Sequence, residues 1–477
     1  MRLYATQRRL FRNITTQSLS SKSQRQRSTQ LNCLSLFQNC KSLLHLHQIH
    51  AQILKLGLQN NPLVLTKFTS TSSDLHAIDY ASSFLFHPGV DTHNYDTFLF
   101  NTVIRGYAKT SDLKHCAVNV YCFMVRNGVL PNKFTYPFVL KACAGVGDLR
   151  LGKQVHGSVL KLGFEGDLHV GNTVVHMYGC CEDAIEDARK VFDEMPERNS
   201  VTWSVMIGVY MRLGLSVYAV ELFRQMQVAK VSPDEFTMVA VVSACGDLSD
   251  IELGKWAESY IEREQIHKSI ELCNSLISMF MKCGDVEKAV SVFRSMKERD
   301  IVSWTSVLSG LGMHGHGKEA VSFFEEMKGS GVTPDDTAFI SLLNACSHAG
   351  LVDQGRFYFK LMMDYGIPPK MKHYGCMVDL LCRAGLVQEA LKFVESIPIE
   401  PNSIILRTLI NACHSQDQVK LNEVFTERLI NNEPMHESNY VILSNIYAKL
   451  SIWENKYIIR QMMEQKGIKK NPGCTMV

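Results

Sequence analysis

The feature that most constrains the fold is a block of about 100 residues that occurs twice in succession. The segment Val201-Thr-Trp-Ser-Val-Met-Ile207 returns as Val302-Ser-Trp-Thr-Ser-Val-Leu308, with Trp203 and Trp304 101 residues apart. The segment Glu194-Met-Pro-Glu-Arg-Asn199 returns at the same interval as Ser295-Met-Lys-Glu-Arg-Asp300. A period held over this length predicts an array of structural repeats.

Each block divides into three units of about 31 to 36 residues, and each unit has the pattern of two short helices. Leu276, Ile277 and Phe280 share one helical face, and Gly284 provides a stop signal. The next helix, Val286 to Met296, carries a single apolar stripe. One such pair cannot bury its stripe alone, whereas stacked pairs can. The sequence therefore predicts an all-α protein with the architecture of an α-solenoid.

The first 30 residues differ from the rest of the chain. They hold six Arg, one Lys and nine Ser or Thr, and the first carboxylate of the protein is Asp74. This composition is typical of an organelle transit peptide; a disordered basic tail on a cytosolic protein is the alternative. The basic turn Arg8-Arg-Leu-Phe-Arg12 favours the mitochondrion over the chloroplast. No apolar run approaches the length of a membrane span, so no membrane association is expected.

The first 30 residues, which we call the leader, also account for the positive net charge. Without it, 43 basic residues face 47 acidic ones, so the body of the protein is mildly acidic. Such a body cannot hold nucleic acid by neutralising phosphates alone, and any nucleic-acid binding must use local basic patches and the bases. The 15 Cys are odd in number and recur at repeat positions such as Cys143, Cys245 and Cys346. This pattern indicates reduced core cysteines.

The repeat divides the chain into segments. After the leader (1–30), degenerate repeats are expected over 31–96 and an array over 97–402, followed by a looser helical extension over 403–467 and a short tail over 468–477. The nine units of the array are 97–132, 133–167, 168–199, 200–234, 235–269, 270–300, 301–335, 336–370 and 371–402.

Three enzyme-like strings are better explained by the repeat. Gly147 to Lys153 has the spacing of a phosphate-binding loop, but Gln154 stands where Ser or Thr must reach the metal, which favours a helix-packing role for Gly152. The GxGxxG string that begins at Gly310 falls at a helix end, and His314 with His316 lacks further ligands. No His begins an H-x-E motif and no two Cys are spaced C-x-x-C, as a zinc deaminase requires. We expect no catalysis, no metal and no cofactor.

Several longer motifs resemble those of plant pentatricopeptide repeats that cycle long, short and standard-length units. They include Asn172-Thr-Val-Val-His-Met-Tyr178, Asp187 to Arg198 and Cys346-Ser-His-Ala-Gly-Leu-Val-Asp353. The resemblance covers nearly all of residues 31–477 and implies a right-handed superhelix of helix-turn-helix repeats. Residues 403–467 resemble the E-type extension of editing-type members. In some members of that family a DYW cytidine-deaminase domain follows; here Thr475-Met476 departs from the usual Ser-Trp, and no such domain is expected.

The resemblance implies binding of single-stranded organellar RNA, one base per unit, through the fifth and last residues of each unit. Asp can only accept a hydrogen bond, which suits the ring N–H of U or G, whereas an Asn amide can donate to C or A. We call these side chains the base-facing residues. The pairs carried over are Thr66/Asp96, Asn101/Asn132, Asn172/Asn199, Ser204/Asp234, Asn274/Asp300 and Thr305/Asp335. The long units have apolar Pro137, Val239 and Ile340 at the fifth position. For any single polar residue, an ordinary helix cap is the alternative interpretation.

Two functions remain open at this stage. The first is a recognition factor for C-to-U RNA editing that recruits a DYW-type deaminase from another chain, together with editing accessory proteins. The second is an RNA-binding factor for splicing, processing or stability of organellar transcripts. A protein-binding solenoid is a weaker third hypothesis, because it does not need polar residues repeated at two fixed positions. No small-molecule substrate is expected.

Overall fold

The described part of the protein is helical and contains no strand. The computed structural model describes residues 27–87, 95–415, 425–449 except 427 and 431, and 451–468. Short helices follow one another in pairs throughout these residues, which confirms the prediction of an all-α solenoid. The predicted leader lies outside the described residues apart from 27–30, and so does the predicted tail apart from residue 468. Among the described residues, no helix has the length and apolar character needed to cross a bilayer.

The described residues form two compact parts, an N-terminal part that ends at residue 237 and a C-terminal part that begins at residue 238. The helices of the N-terminal part are 27–36, Leu43–Lys55, Pro62–Asp74, Ile78–Leu85, Thr97–Lys109, Lys114–Arg126, Tyr136–Val146, Leu149–Lys161, Leu168–Gly179, Ile185–Glu194, Ser200–Arg212 and Ser216–Val228. The boundary falls within Glu235–Asp247. The helices that follow include Ile251–Arg263, Ile270–Lys282, Val286–Ser295, Ile301–Met313, Gly317–Gly329, Asp336–His348, Val352–Asp364, Met371–Arg383, Val387–Glu395, Ser403–Ser415, Glu437–Lys449 and Trp453–Gln465.

All nine units of the predicted array contain two helices, which we call the first and second helix of the unit. Within each part, the first helices of neighbouring units pack side by side, as Leu168–Gly179 packs on Ser200–Arg212. The predicted apolar faces supply the core, since Leu276, Ile277 and Phe280 are fully buried. The predicted stop at Gly284 is a left-handed residue with φ +85°, a conformation that a residue with a side chain rarely adopts.

The two copies of the long repeat share a contact between an aromatic pair and an arginine. Trp203 packs edge-on against Phe192 with 5.0 Å between ring centroids, and Trp304 packs against Phe293 at 4.8 Å. The guanidinium of Arg299 lies 4.8 Å from the Phe293 ring centroid, as Arg198 lies 5.0 Å from that of Phe192.

Each arginine of this contact also donates a hydrogen bond to the end of the preceding helix. Arg198 reaches the carbonyl of Asp193 at 2.9 Å, and Arg299 reaches that of Arg294 at 3.0 Å. These contacts hold the loop that leads into Asn199 and Asp300, the residues that precede the next first helix.

The helical glycines of the enzyme-like strings are packing residues. A Cβ on Gly152 would lie 2.3 Å from the Met177 sulfur, and one on Gly254, its counterpart in the next block, would lie 2.4 Å from the Met279 sulfur. This confirms the helix-packing interpretation of Gly152. Gly310 also lies within a helix, so the GxGxxG string does not form a strand-to-helix turn.

We predict opposite effects of alanine at two helical glycines of the N-terminal part. A Cβ on Gly179 would lie 2.2 Å from Val209 Cγ2, a stiff β-branched side chain, whereas a Cβ on Gly208 would meet nothing within 4 Å. Gly179→Ala should therefore cost about 1 to 3 kcal/mol of unfolding free energy. Gly208→Ala should be neutral or stabilise by about 0.5 to 1 kcal/mol, because it removes a flexible residue from a helix. Thermal and urea unfolding followed by circular dichroism measures both changes; equal effects would contradict the packing described here.

Candidate nucleic-acid interface

The two base-facing positions are neighbours in space because of how the helices begin. The fifth residue of a unit lies in the first helix, and the last residue precedes the first helix of the next unit. Neighbouring first helices pack side by side within each part, so the end of one unit comes next to the fifth residue of the same unit. In the unit 270–300, for example, Asn274 lies within Ile270–Lys282 and Asp300 is the N-cap of Ile301–Met313.

Three of the six predicted pairs are in direct hydrogen-bonding contact. Asn101 Nδ2 donates to Asn132 Oδ1 at 3.2 Å. Asn274 Nδ2 donates to Asp300 Oδ1, also at 3.2 Å. Ser204 Oγ lies 3.1 Å from Asp234 Oδ1.

The other three pairs do not form a hydrogen bond with each other. Thr305 donates instead to the carbonyl of Val302 at 3.1 Å. The Asn172 carbonyl oxygen is buried without a partner, and Asn199 is exposed. In the remaining pair, Thr66 is half-buried and Asp96 is exposed. The fifth-position residues Asn101, Asn172, Asn274 and Thr305 are all more than nine-tenths buried, so they offer only their outermost atoms to a ligand.

The last residue of each pair caps the start of the next unit, and this contact fixes which atom faces outward. Asn132 caps the turn before the helix Tyr136–Val146, whereas the other five directly precede a first helix. The Oδ1 atoms of Asp96, Asn132, Asn199, Asp234, Asp300 and Asp335 all accept a backbone N–H from the third residue of the next unit, at 2.8 to 3.2 Å. Because Oδ1 is engaged by the backbone, the Asn caps present their amide nitrogen as a donor and the Asp caps present Oδ2 as an acceptor. The cap interpretation and the base-facing interpretation therefore apply to the same side chains.

Asp300 shows the electrostatic consequence of this arrangement. Its partial burial by itself raises the pKa, but hydrogen bonds from Ser303 and Asn274 outweigh that effect and hold the pKa of Asp300 below its ordinary value. The Ser303 hydroxyl donates to Asp300 Oδ1 at 2.8 Å, in addition to the backbone N–H of Ser303 at the same distance. Asp300 is thus ionised at neutral pH and can only accept a hydrogen bond.

A row of exposed apolar side chains flanks the polar pairs and was not singled out from the sequence. Each is the second residue of its unit, three positions before the fifth residue, and each is half or more exposed. The row consists of Phe98, Phe134, Val201 and Phe236 in the N-terminal part and Val302 in the C-terminal part. Flat or branched apolar groups at these positions can stack on bases. The sequence signal for this row is its place in the repeat, because every member is the second residue of a unit. Without that register, such apolar residues would be expected in the core.

Cations at the ends of first helices form a second set that the sequence analysis did not identify. Lys109, Arg212, Lys282 and Arg383 are each the thirteenth residue of their unit, and each is exposed. A cation is favoured there by the helix dipole, and on these helices it is also available to phosphate groups. The other five units have Gly145, Cys180, Asp247, Met313 or His348 at this position, so the row is interrupted.

No metal site emerges from the residues that the structure describes, where no three His, Cys, Asp or Glu side chains are grouped to hold an ion. His314 Nε2 contacts the carbonyl of Met281 at 2.7 Å, and His316 Nδ1 lies 3.1 Å from a carboxylate oxygen of Glu319. The two histidines of this turn are thus engaged separately.

Comparison with known proteins gives consistent matches along the chain. The model of the PPR repeat family matches residues 95–145, 198–247 and 299–348, and that of the PPR repeat matches 271–301, 337–367 and 372–398. The model of the E motif matches residues 416–477.

Curated relatives and a solved structure extend these matches over most of the chain. A pentatricopeptide repeat-containing protein of Arabidopsis thaliana, named as chloroplastic/mitochondrial, is 39% identical over 461 residues, covering 93% of this chain and 71% of the relative. A putative chloroplastic one is 36% identical over 93% of this chain and 86% of its own length. The crystal structure of the pentatricopeptide repeat protein PPR10 from maize shares the fold with a TM-score of 0.54 and 16% identity, over 90% of this chain and 72% of that one. The chain belongs to the pentatricopeptide repeat family and carries its E motif.

Proposed function

We propose that the protein binds single-stranded RNA in a sequence-specific manner, with one base opposite each unit. The observation that carries the proposal is the geometry of the caps, which leaves a defined donor or acceptor facing outward beside the fifth residue. Asp300 offers an acceptor to the ring N–H of U, and Asn132 offers a donor to the ring nitrogen of C. The exposed apolar row would stack on the bases, and the helix-end cations would contact phosphates.

The pairs give an ordered preference along the RNA. Family members run parallel to RNA from 5′ to 3′, so the units from residue 62 to 335 should prefer G, pyrimidine, any, pyrimidine, G, any, U and G. The units with Pro137 and Val239 at the fifth position supply the two unspecified positions, because an apolar side chain cannot hydrogen-bond to a base edge.

Within this activity, we favour site recognition for C-to-U editing, with the edited C a few nucleotides downstream of the bound sequence. The E motif at residues 416–477 supports this choice, since such an extension is characteristic of editing-type members. The deaminase would then be supplied by a second chain of the DYW type, with editing accessory proteins. Because its relatives are named as chloroplastic or mitochondrial, we place the protein in an organelle, with the mitochondrion favoured by the leader.

We predict that Asp300→Asn moves the preference of one unit from U towards C. Asp and Asn are equally good caps, so the helix Ile301–Met313 should still begin at the same place. Only the outward atom changes, from an acceptor to a donor. Binding to RNAs that differ at the nucleotide opposite unit 270–300 should show a shift of about 1 kcal/mol or more, by analogy with the cost of a mismatched base in DNA recognition.

The matched control for this substitution is the reciprocal change Asn132→Asp, which should favour U over C opposite unit 97–132. If both variants keep the wild-type preference, the assignment of bases to these side chains is wrong. If only Asp300→Asn fails while Asn132→Asp follows the rule, the assignment of unit 270–300 alone is wrong.

The editing role predicts a defined defect in organellar RNA. In a plant that lacks the protein, sequencing of organellar transcripts should show one or a few C positions that are no longer converted to U. The bound sequence given above should lie just upstream of them. An altered intron or transcript end with all conversions intact would instead support the alternative role in splicing, processing or stability.

Localisation can be tested separately from RNA binding. A fusion of residues 1–60 to a fluorescent protein should enter an organelle, most of it the mitochondrion, because the segment is rich in Arg and contains no acid. Replacement of Arg8, Arg9 and Arg12 by Gln should reduce import. Diffuse cytosolic fluorescence of the unchanged fusion would exclude an import signal in this segment.

A further inference from the structure

A buried hydroxyl links the two base-facing residues of unit 97–132. Thr135 is the third residue of the next unit and is fully buried. Its Oγ1 lies 2.7 Å from Asn101 Oδ1 and 3.2 Å from Asn132 Oδ1, and it accepts the backbone N–H of Asn132 at 3.0 Å. A hydroxyl has a single proton, and the shorter contact assigns it to the Asn101 carbonyl oxygen.

The equivalent hydroxyls of two other units behave differently. Thr202 donates to Asn199 Oδ1 at 3.0 Å, and Ser303 donates to Asp300 Oδ1 at 2.8 Å. In both of these units the carbonyl oxygen of the fifth residue, Asn172 or Asn274, is buried and has no hydrogen-bond partner. The Asn101 amide is therefore held at its oxygen by Thr135 and at its nitrogen by Asn132. The Asn172 amide has neither of these contacts.

A second instance of a bridging hydroxyl occurs in unit 200–234. Thr237, also fully buried, is in hydrogen-bonding contact with Ser204 Oγ and donates to Asp234 Oδ1 at 2.7 Å. Ser204 and Asp234 are themselves 3.1 Å apart. The same third position thus contacts the fifth residue and the cap at once in two different units.

We propose that Thr135 is a positioning residue that sets the base preference of unit 97–132 by fixing the orientation of the Asn101 amide. This inference rests on the proposed RNA binding. With Oδ1 bound to Thr135 and one hydrogen of Nδ2 bound to Asn132, the second hydrogen of Nδ2 is the group left for a base. A donor at this place suits the O2 carbonyl that cytosine and uracil share. An amide that could reverse would present a carbonyl oxygen instead and lose this selectivity.

The test is Thr135→Val, which keeps the shape of the side chain and removes the hydroxyl. Binding is measured for four RNAs that differ only at the nucleotide opposite unit 97–132. The preference for pyrimidine over purine should fall about fivefold or more, which is the scale of one lost directional hydrogen bond. Thr135→Ser restores the hydroxyl and should restore the preference, and Thr135→Ala provides a second variant without the hydroxyl and without added bulk.

The matched control is Thr202→Val, whose hydroxyl contacts the cap Asn199 and not Asn172. Its effect on the preference opposite unit 168–199 should be about twofold or less. A wild-type ratio in Thr135→Val, or an equal loss of affinity for all four RNAs, would show that Thr135 has only a structural role. A wild-type protein without preference at any tested nucleotide would overturn the proposed function itself, and this inference with it.

Discussion

The structure depends on the hydrogen bond that a backbone N–H of the next helix donates to a cap side chain. It satisfies one of the N–H groups that a helix start leaves unpaired, and each such cap contributes about 1 kcal/mol. In Asp300 and Asn199 the same bond also fixes which atom of the side chain faces outward. In the proposed function, helix initiation and base recognition therefore place the same demand on these positions. A cap residue can be exchanged between Asp and Asn with little effect on folding, while the hydrogen-bonding character of the surface is inverted.

The cap can do this only because the chain in front of it is held in place. Arg299 stacks on Phe293, bonds the end of the preceding helix and stands directly before Asp300. Phe293 in turn packs against the buried Trp304 in the helix that Asp300 begins. The loop, the cap and the helix thus share one small aromatic cluster, and Arg198, Phe192 and Trp203 repeat it one block earlier. This explains why these residues recur at a fixed interval in the sequence.

The sequence was sufficient to predict the architecture, because a period of helix pairs leaves few ways to bury the apolar stripes. It was also sufficient to pair the fifth and last residues of a unit, since both positions follow from the register of the repeat; their role in base recognition stays a prediction. It could not predict that Asn101 contacts its partner while Asn172 does not, because that difference depends on which of two oxygens a neighbouring hydroxyl approaches. Nor could it show that Phe98 and Phe134 are exposed, since isolated apolar residues beside a core position have the same pattern as core residues.

In the proposed interface, the distribution of charge on the protein decides how the binding free energy is divided between contacts to phosphates and contacts to bases. Some helix-end cations are already paired within the protein: Lys282 lies 2.7 Å from Asp247, and Arg383 lies 2.8 Å from Asp379. A phosphate that approaches them must compete with these carboxylates, so each contact gains less than it would in a uniformly basic groove. In the proposed RNA complex, contacts to the bases then make up a larger share of the binding free energy. An interface of this kind has a shallow dependence on salt and depends strongly on hydrogen-bond geometry, which is the property that the caps and their neighbouring hydroxyls control.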